Sequence, residues 1–151
     1  MRPLLTAKDT NPKDAVGTRK SPMSVVPMGV MMEIGVGMLE GARKYGRHNY
    51  RIAGVRASVY IDAAERHMMK FWDFGINIDK DSGLSEVTKA ITSLVVLRDA
   101  MMTGKWVDDR PPPLPIELLD EIQKAVDDVF ARYPEALPAY THEHVKASEE
   151  K

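Results

Sequence analysis

Apolar residues recur at steps of three and four along four stretches of the chain, and no convincing run of strict alternation breaks that rhythm. From Ser24 to about Tyr45 the recurring positions are Met31, Ile34, Met38 and Ala42, the stripe of one helix, with Pro27 tolerable only because it falls in the first turn. "GRHNYRIAGVRAS" reads as a loop. Ser58 can cap a second helix to about Asp73, whose apolar side is Ile61, Ala64, Met68, Phe71 and Trp72. "FGINIDKDSG" concentrates Gly, Asn, Asp and Ser into a turn, after which Asp81 or Ser82 can cap a third, more apolar helix that stops at Gly104. "DDRPPPLP" ends any helix, and Pro115 then suits the opening of a fourth, "IELLDEIQKAVDDVFARY", with Ile116, Leu119, Ile122, Val126 and Val129 inward. Residues 1–22, rich in Pro, Lys, Asp and Thr and without period, predict an extended arm. Residues 23–133 predict a single all-α domain, and 134–151 a loose polar tail. The expected architecture is an all-α bundle of about four main helices, oligomeric because its ten methionines and its apolar faces leave surface to share.

Composition narrows the function. A chain of 151 residues is most simply one domain, with 44% hydrophobic and 28% charged residues, as in ordinary globular proteins. Its formal net charge of −1 provides no field for holding nucleic acid or an anionic membrane, so an anionic ligand must meet local cations. The absence of cysteine removes disulfides, thiolate nucleophiles and Cys-ligated metals. The opening apolar run is too short for a signal peptide and no 18-residue apolar run occurs, so a soluble, cytoplasmic protein is expected.

The acids carry the chemistry. At 100° per residue Gly37, Glu40 and Lys44 lie within about 40° of the Glu33 direction, opposite Met31, Met38 and Ala42. On the second helix Asp62, Arg66 and Asp73 share a stripe, with Glu65, His67 and Lys70 beside it; on the third, Glu86, Lys89 and Ser93 form a polar line. Carboxylates on facing helices of a bundle can hold Mg²⁺ or Mn²⁺, and neighbouring cations suit a phosphate-bearing ligand. Each feature has a plainer reading. Glutamates seven apart are more often solvated surface, Glu40 with Lys44 is a common helix pair, and Asp62 and Glu86 sit where acids favour helix starts, the reading preferred for Glu86. Gly37 in mid-helix points to close packing or a ligand, because glycine there costs about 1 kcal/mol. His67 reads most simply as a half-buried, satisfied histidine, and "GTRKS" lacks the spacing of a phosphate loop. "KYGRHNYR" is too isolated to make a nucleic-acid surface.

Taken together, "NPKDAVGTRKSPMSVVP", "LEGARKYGRHNYR", "YIDAAERH", "DKDSGLSEVTKAI" and "LRDAM" resemble the phage dATP/dGTP diphosphohydrolase family, relatives of the MazG-like all-α nucleotide pyrophosphohydrolases. The resemblance spans about residues 11–113. It implies a helical oligomer, a dimer or tetramer, that uses two or more Mg²⁺ or Mn²⁺ ions. Such an enzyme cleaves a purine (d)NTP between its α and β phosphates to the monophosphate and pyrophosphate. The branch it looks most like converts dGTP to dGMP for 2-aminoadenine DNA synthesis in phage. Carried onto this chain, the resemblance and the stripes give Glu33, Glu40 and Asp62 as catalytic acids, with Glu65 joining them as metal ligands. Lys44, Tyr45, Asn49, Arg66, His67, Lys70 and Lys89 would bind substrate, with Trp72 another candidate for stacking on the base. Two departures stand out: Val36 where a tight ExxE is usual, and Glu86 where many relatives carry histidine, while "GIN" replaces an acidic "GED". A general house-cleaning dNTP pyrophosphatase and a non-catalytic helical adaptor are the competing expectations.

Overall fold

In the computed structural model, which describes residues 11–149, the regular elements are helices apart from two dipeptide strands and one isolated bridge between Ile78 and Ser85. Residues 1–10 of the expected arm and 150–151 of the expected tail lie outside the described residues. The remainder of the arm contains a helix, α1 (Pro12–Gly17). It forms because Asn11 Oδ1 accepts the Lys13 N–H and Pro12 occupies a first-turn position, a capping signal that outweighs the missing period. A 3-10 turn at Met23–Val25 leads through Pro27 into α2 (Met28–Tyr45). After it come α3 (Asn49–Ile52), β1 (Val55–Arg56), α4 (Ala57–Trp72), α5 (Glu86–Met102), β2 (Trp106–Val107), α6 (Glu117–Arg132) and α7 (His142–Glu149).

α5 is the centre of the first compact unit, which ends at Arg110. It packs along α4 and, on another side, against α2, so its buried residues encircle it: Glu86, Thr88, Ala90, Thr92, Leu97 and Ala100. Most are small, which lets neighbouring backbones come close. The approach is close at Gly37 on α2, where an added Cβ would stand 2.7 Å from Thr92 Oγ1, so the mid-helix glycine makes room for α5. α4 buries only the narrow stripe of Ala57 and Ala64, with Phe71 half-buried. Trp72, expected inside, is 79% exposed, and Ile61, Met68 and, on α2, Met31 are also exposed. Small residues set the helix spacing here and leave the larger ones outside the contact.

The C-terminal end of α5 closes back on the start of α4. Gly104, at φ 67°, stops the helix, and Val55 N–H donates to Lys105 O at 2.9 Å as β1 and β2 pair in parallel. Gly54, at φ 77°, is required there because a Cβ would meet Lys105 O at 2.8 Å. This delivers Asp109 to the opening of α4, where its carboxylate accepts the Ser58 N–H at 2.9 Å and the Ser58 hydroxyl at 2.5 Å. Ser58, expected as the cap, therefore lies inside the helix and is itself capped from 51 residues away. α5 begins later than expected too, with Ser85 Oγ accepting the Val87 N–H, while Asp81 and Ser82 remain in the preceding loop.

The second compact unit begins at Pro111. α6 is amphipathic as expected, yet none of its residues is buried, and Ile116, Leu119, Ile122, Val126 and Val129 are exposed. Among the described residues this unit has one other helix, the short α7. No helix among the described residues is long and apolar enough to cross a membrane.

Candidate active site

The turn between α2 and α3 shapes one wall of a cavity of about 380 Å³. Gly46 at φ 93° and His48 at φ 62° reverse the chain sharply, and His48 is the one non-glycine residue at positive φ among the described residues. That reversal puts Tyr45, Asn49 and Tyr50 on the cavity rim, and Arg51 fixes it by a bidentate bond to Asp99 of α5, at 2.9 and 2.6 Å. Tyr60 of α4 completes an aromatic side, and burial pushes its hydroxyl's pKa up. The size falls within the range of about 300–1,000 Å³ usual for small-molecule sites.

Across this cavity α2 and α5 exchange charges. Glu40 Oε1 accepts from Lys44 Nζ and Oε2 from Lys89 Nζ, each at 2.5 Å. The two lysines, Lys44 first, hold the Glu40 carboxyl below its usual range. Gly37 with Thr92 lies one turn away from Glu40 with Lys89, so the glycine contact sets the distance over which this bridge forms.

Behind the cavity lies a buried acid pair. The loop after α4 folds back on itself, with Asp79 N–H donating to Leu84 O at 2.8 Å, Glu86 N–H to Asn77 O at 2.9 Å, and Gly83 at φ 71°. Asp79 and Glu86, 4% and 1% exposed, are thereby placed beside His67, which bonds Glu86 through Nδ1 and also lines the cavity. Lys70 Nζ stands 3.6 Å from Asp79 and 3.5 Å from Glu86. Burial by itself would raise the Asp79 carboxyl, but the Ser82 hydroxyl and N–H, with Lys70 and His67, bring it below its usual range. Ligand atoms of His67, Asp79 and Glu86 lie within 4.8 Å of one another, the arrangement among the described residues that could hold a metal ion.

The family model for dATP/dGTP diphosphohydrolase, N-terminal, matches residues 10–110. The chain belongs to that family. The matched segment ends where the first compact unit ends, at Arg110. No curated protein and no solved structure matches the chain. The protein is thus a hydrolase, a nucleoside triphosphate diphosphohydrolase, built on the all-α bundle that the helical periods called for.

In this diphosphohydrolase Glu40, Lys44, Tyr45, Asn49, His67 and Lys89, all expected at the site, line the one cavity. Asp62, Glu65 and Arg66 lie together on the exposed side of α4, around a separate shallow hollow with Met69. Glu33 is half-buried on α2 and lines neither. Lys70 joins the buried acids rather than the cavity wall. Sequence reasoning did not single out Asp79, and it preferred a helix-start role for Glu86. The available signal for Asp79 was local: an aspartate three residues before a serine can accept that serine's N–H and close a turn, which is what it does.

Proposed function

We propose that this diphosphohydrolase hydrolyses a purine ribo- or deoxyribonucleoside triphosphate, dGTP or GTP above all, at the bond between the α and β phosphates. The products would be the monophosphate and pyrophosphate, and the setting phage nucleotide-pool remodelling for 2-aminoadenine DNA. The observation that supports the reading is the cavity itself, where Lys44 and Lys89 converge on Glu40 and where Tyr45, Tyr50 and Tyr60 are among the lining residues, a composition that suits phosphate and base.

The residues at the buried cluster fit a divalent ion. Lys70 stands 3.6 and 3.5 Å from the two acids, not in close contact, and is 42% exposed, so it can swing out as an ion enters. His67, Asp79 and Glu86 would then offer one nitrogen and two oxygens, a set better suited to Mn²⁺ than to the all-oxygen habit of Mg²⁺. Glu33, Glu40, Asp62 and Glu65 form the alternative set that the sequence suggests. A bound ion would neutralise phosphate charge and acidify water. Lys44 and Lys89 would bind the phosphate chain and receive the charge that moves onto the departing pyrophosphate. Water oxygen forms the new bond to the α-phosphorus, the bridging P–O bond breaks towards the β-phosphate, and a carboxylate takes the water's proton. Arg66 and Lys70 would add positive potential. A homo-oligomer is proposed from the exposed apolar side chains of α2 and α4.

The test is a panel of ribo- and deoxynucleoside triphosphates with Mn²⁺ or Mg²⁺, with products resolved chromatographically. Pyrophosphate release led by guanine nucleotides is expected. Tripolyphosphate as product, or no turnover of any purine nucleotide, would overturn the reading, and equal rates across all bases would favour a house-cleaning pyrophosphatase.

A further inference from the structure

We propose that Glu40 is the positioning residue of a two-lysine clamp for a polyphosphate, and that it is not a ligand for a divalent ion. The inference rests on reading the cavity as the nucleotide site. Among the described residues that line the cavity Glu40 is the one carboxylate, and an uncompensated carboxylate in that place would repel a triphosphate. It is fully compensated: each oxygen holds a lysine ammonium at 2.5 Å, one from the next turn of α2 and one from α5. A metal-binding carboxylate must direct an oxygen lone pair at the ion, whereas both oxygens here face ammonium groups that would repel one.

The arrangement has a use for an anion. Lysine stems lose considerable rotamer freedom when fixed, and a carboxylate that ties down both ammonium groups removes that cost before the ligand arrives. Each ammonium spends one of its donors on Glu40 and keeps others for phosphate oxygens. Lys89 and Glu40 are 18% and 19% exposed along their side chains, so this half of the bridge is largely out of water. Lys44, at 51%, is the outer arm.

The test compares wild type with Glu40→Gln, Glu40→Asp and the double variant Lys44→Met/Lys89→Met. Inorganic pyrophosphate binding is measured by calorimetry in EDTA, Mn²⁺ binding in the absence of nucleotide, and kcat on the best nucleotide. Removing one negative charge about 4 Å from a multiply charged anion should outweigh the lost ordering of the lysines, so pyrophosphate should bind about five- to tenfold tighter to Glu40→Gln, while kcat falls because the lysines lose their registration. Glu40→Asp keeps the charge but is too short to span both ammonium groups, so it should bind pyrophosphate more weakly than wild type and lose kcat. Mn²⁺ affinity should not change in either variant, and the double lysine variant should lose pyrophosphate binding. The clamp is overturned if Glu40→Gln leaves pyrophosphate affinity within about twofold of wild type, or weakens Mn²⁺ binding about tenfold or more. Because pyrophosphate binding needs no turnover, these results read the clamp even if no nucleotide is hydrolysed, an outcome that would strike the proposed reaction instead.

Discussion

Gly37→Ala probes the contact on which the cavity's cationic side depends. The new Cβ would lie 2.7 Å from Thr92 Oγ1 and 3.2 Å from its Cγ2. Thr92 is buried and its hydroxyl donates to Thr88 O at 2.8 Å, so it can yield only by giving up that bond or by pushing α2 from α5. Overpacking costs about 1–3 kcal/mol, and a contact as short as 2.7 Å belongs in the upper part of that range, about 2–3 kcal/mol; the better helix propensity of alanine returns about 1 kcal/mol, so a net loss of about 1–2 kcal/mol is expected. For a chain of this length that is about 2–8 °C in Tm. Urea denaturation should show a lower midpoint at unchanged slope. Gly41→Ala is the control: nothing lies within 4 Å of its added Cβ, so propensity alone should act and stability should rise. Adding Thr92→Ala to Gly37→Ala removes both offending atoms and should recover part of the loss as a favourable coupling. Since Glu40 and Lys89 lie one turn along the same two helices, Gly37→Ala should also weaken pyrophosphate binding. A Gly37→Ala protein as stable as wild type, or one that Thr92→Ala does not relieve, would refute the argument.

Asp109 gives a pH dependence with a definite sign. The Ser58 hydroxyl, then its N–H, hold this carboxyl below its ordinary range, so its stabilisation is complete above the unfolded value of about 3.9 and is lost as pH falls through the lower folded value. Asp109→Asn should therefore be less stable at neutral pH and lose less stability in acid, and an identical acid limb in the two proteins would remove the cap assignment. Glu86→Ala should cost about 1–3 kcal/mol by urea denaturation, because it removes the buried carboxylate that His67 bonds and leaves Lys70 with Asp79 alone, and a cost under about 0.5 kcal/mol would show Glu86 to be dispensable for folding. Mn²⁺ should raise the wild-type Tm and leave that of Asp79→Asn unmoved; loss of the increment in Glu33→Gln or Asp62→Asn instead would assign the ion to the acids the sequence suggests.

The sequence by itself determined that this protein is helical, where α2, α4, α5 and α6 lie to within a few residues, and that it belongs with the diphosphohydrolases. Those features are local: a 3.6-residue rhythm, proline and glycine stops, and ordered segments such as "LEGARKYGRHNYR" are properties of neighbouring residues. Lys44, Tyr45 and Asn49 were legible for the same reason, since they sit in one segment and line one cavity together. Only the tertiary structure decided which acids meet. Glu33, Glu40 and Asp62 fall on acidic stripes, but a stripe shows what shares a face of one helix and not what the face opposes. Packing of α5 against α2 turned Glu40 towards Lys89, and a loop folding back on itself carried Asp79 to His67 and Glu86. The cap at Ser58 was misread for a like reason, because its partner Asp109 arrives through strand pairing from 51 residues away. Contacts made across such separations depend on the arrangement of whole elements, which side-chain spacing along a single helix does not encode.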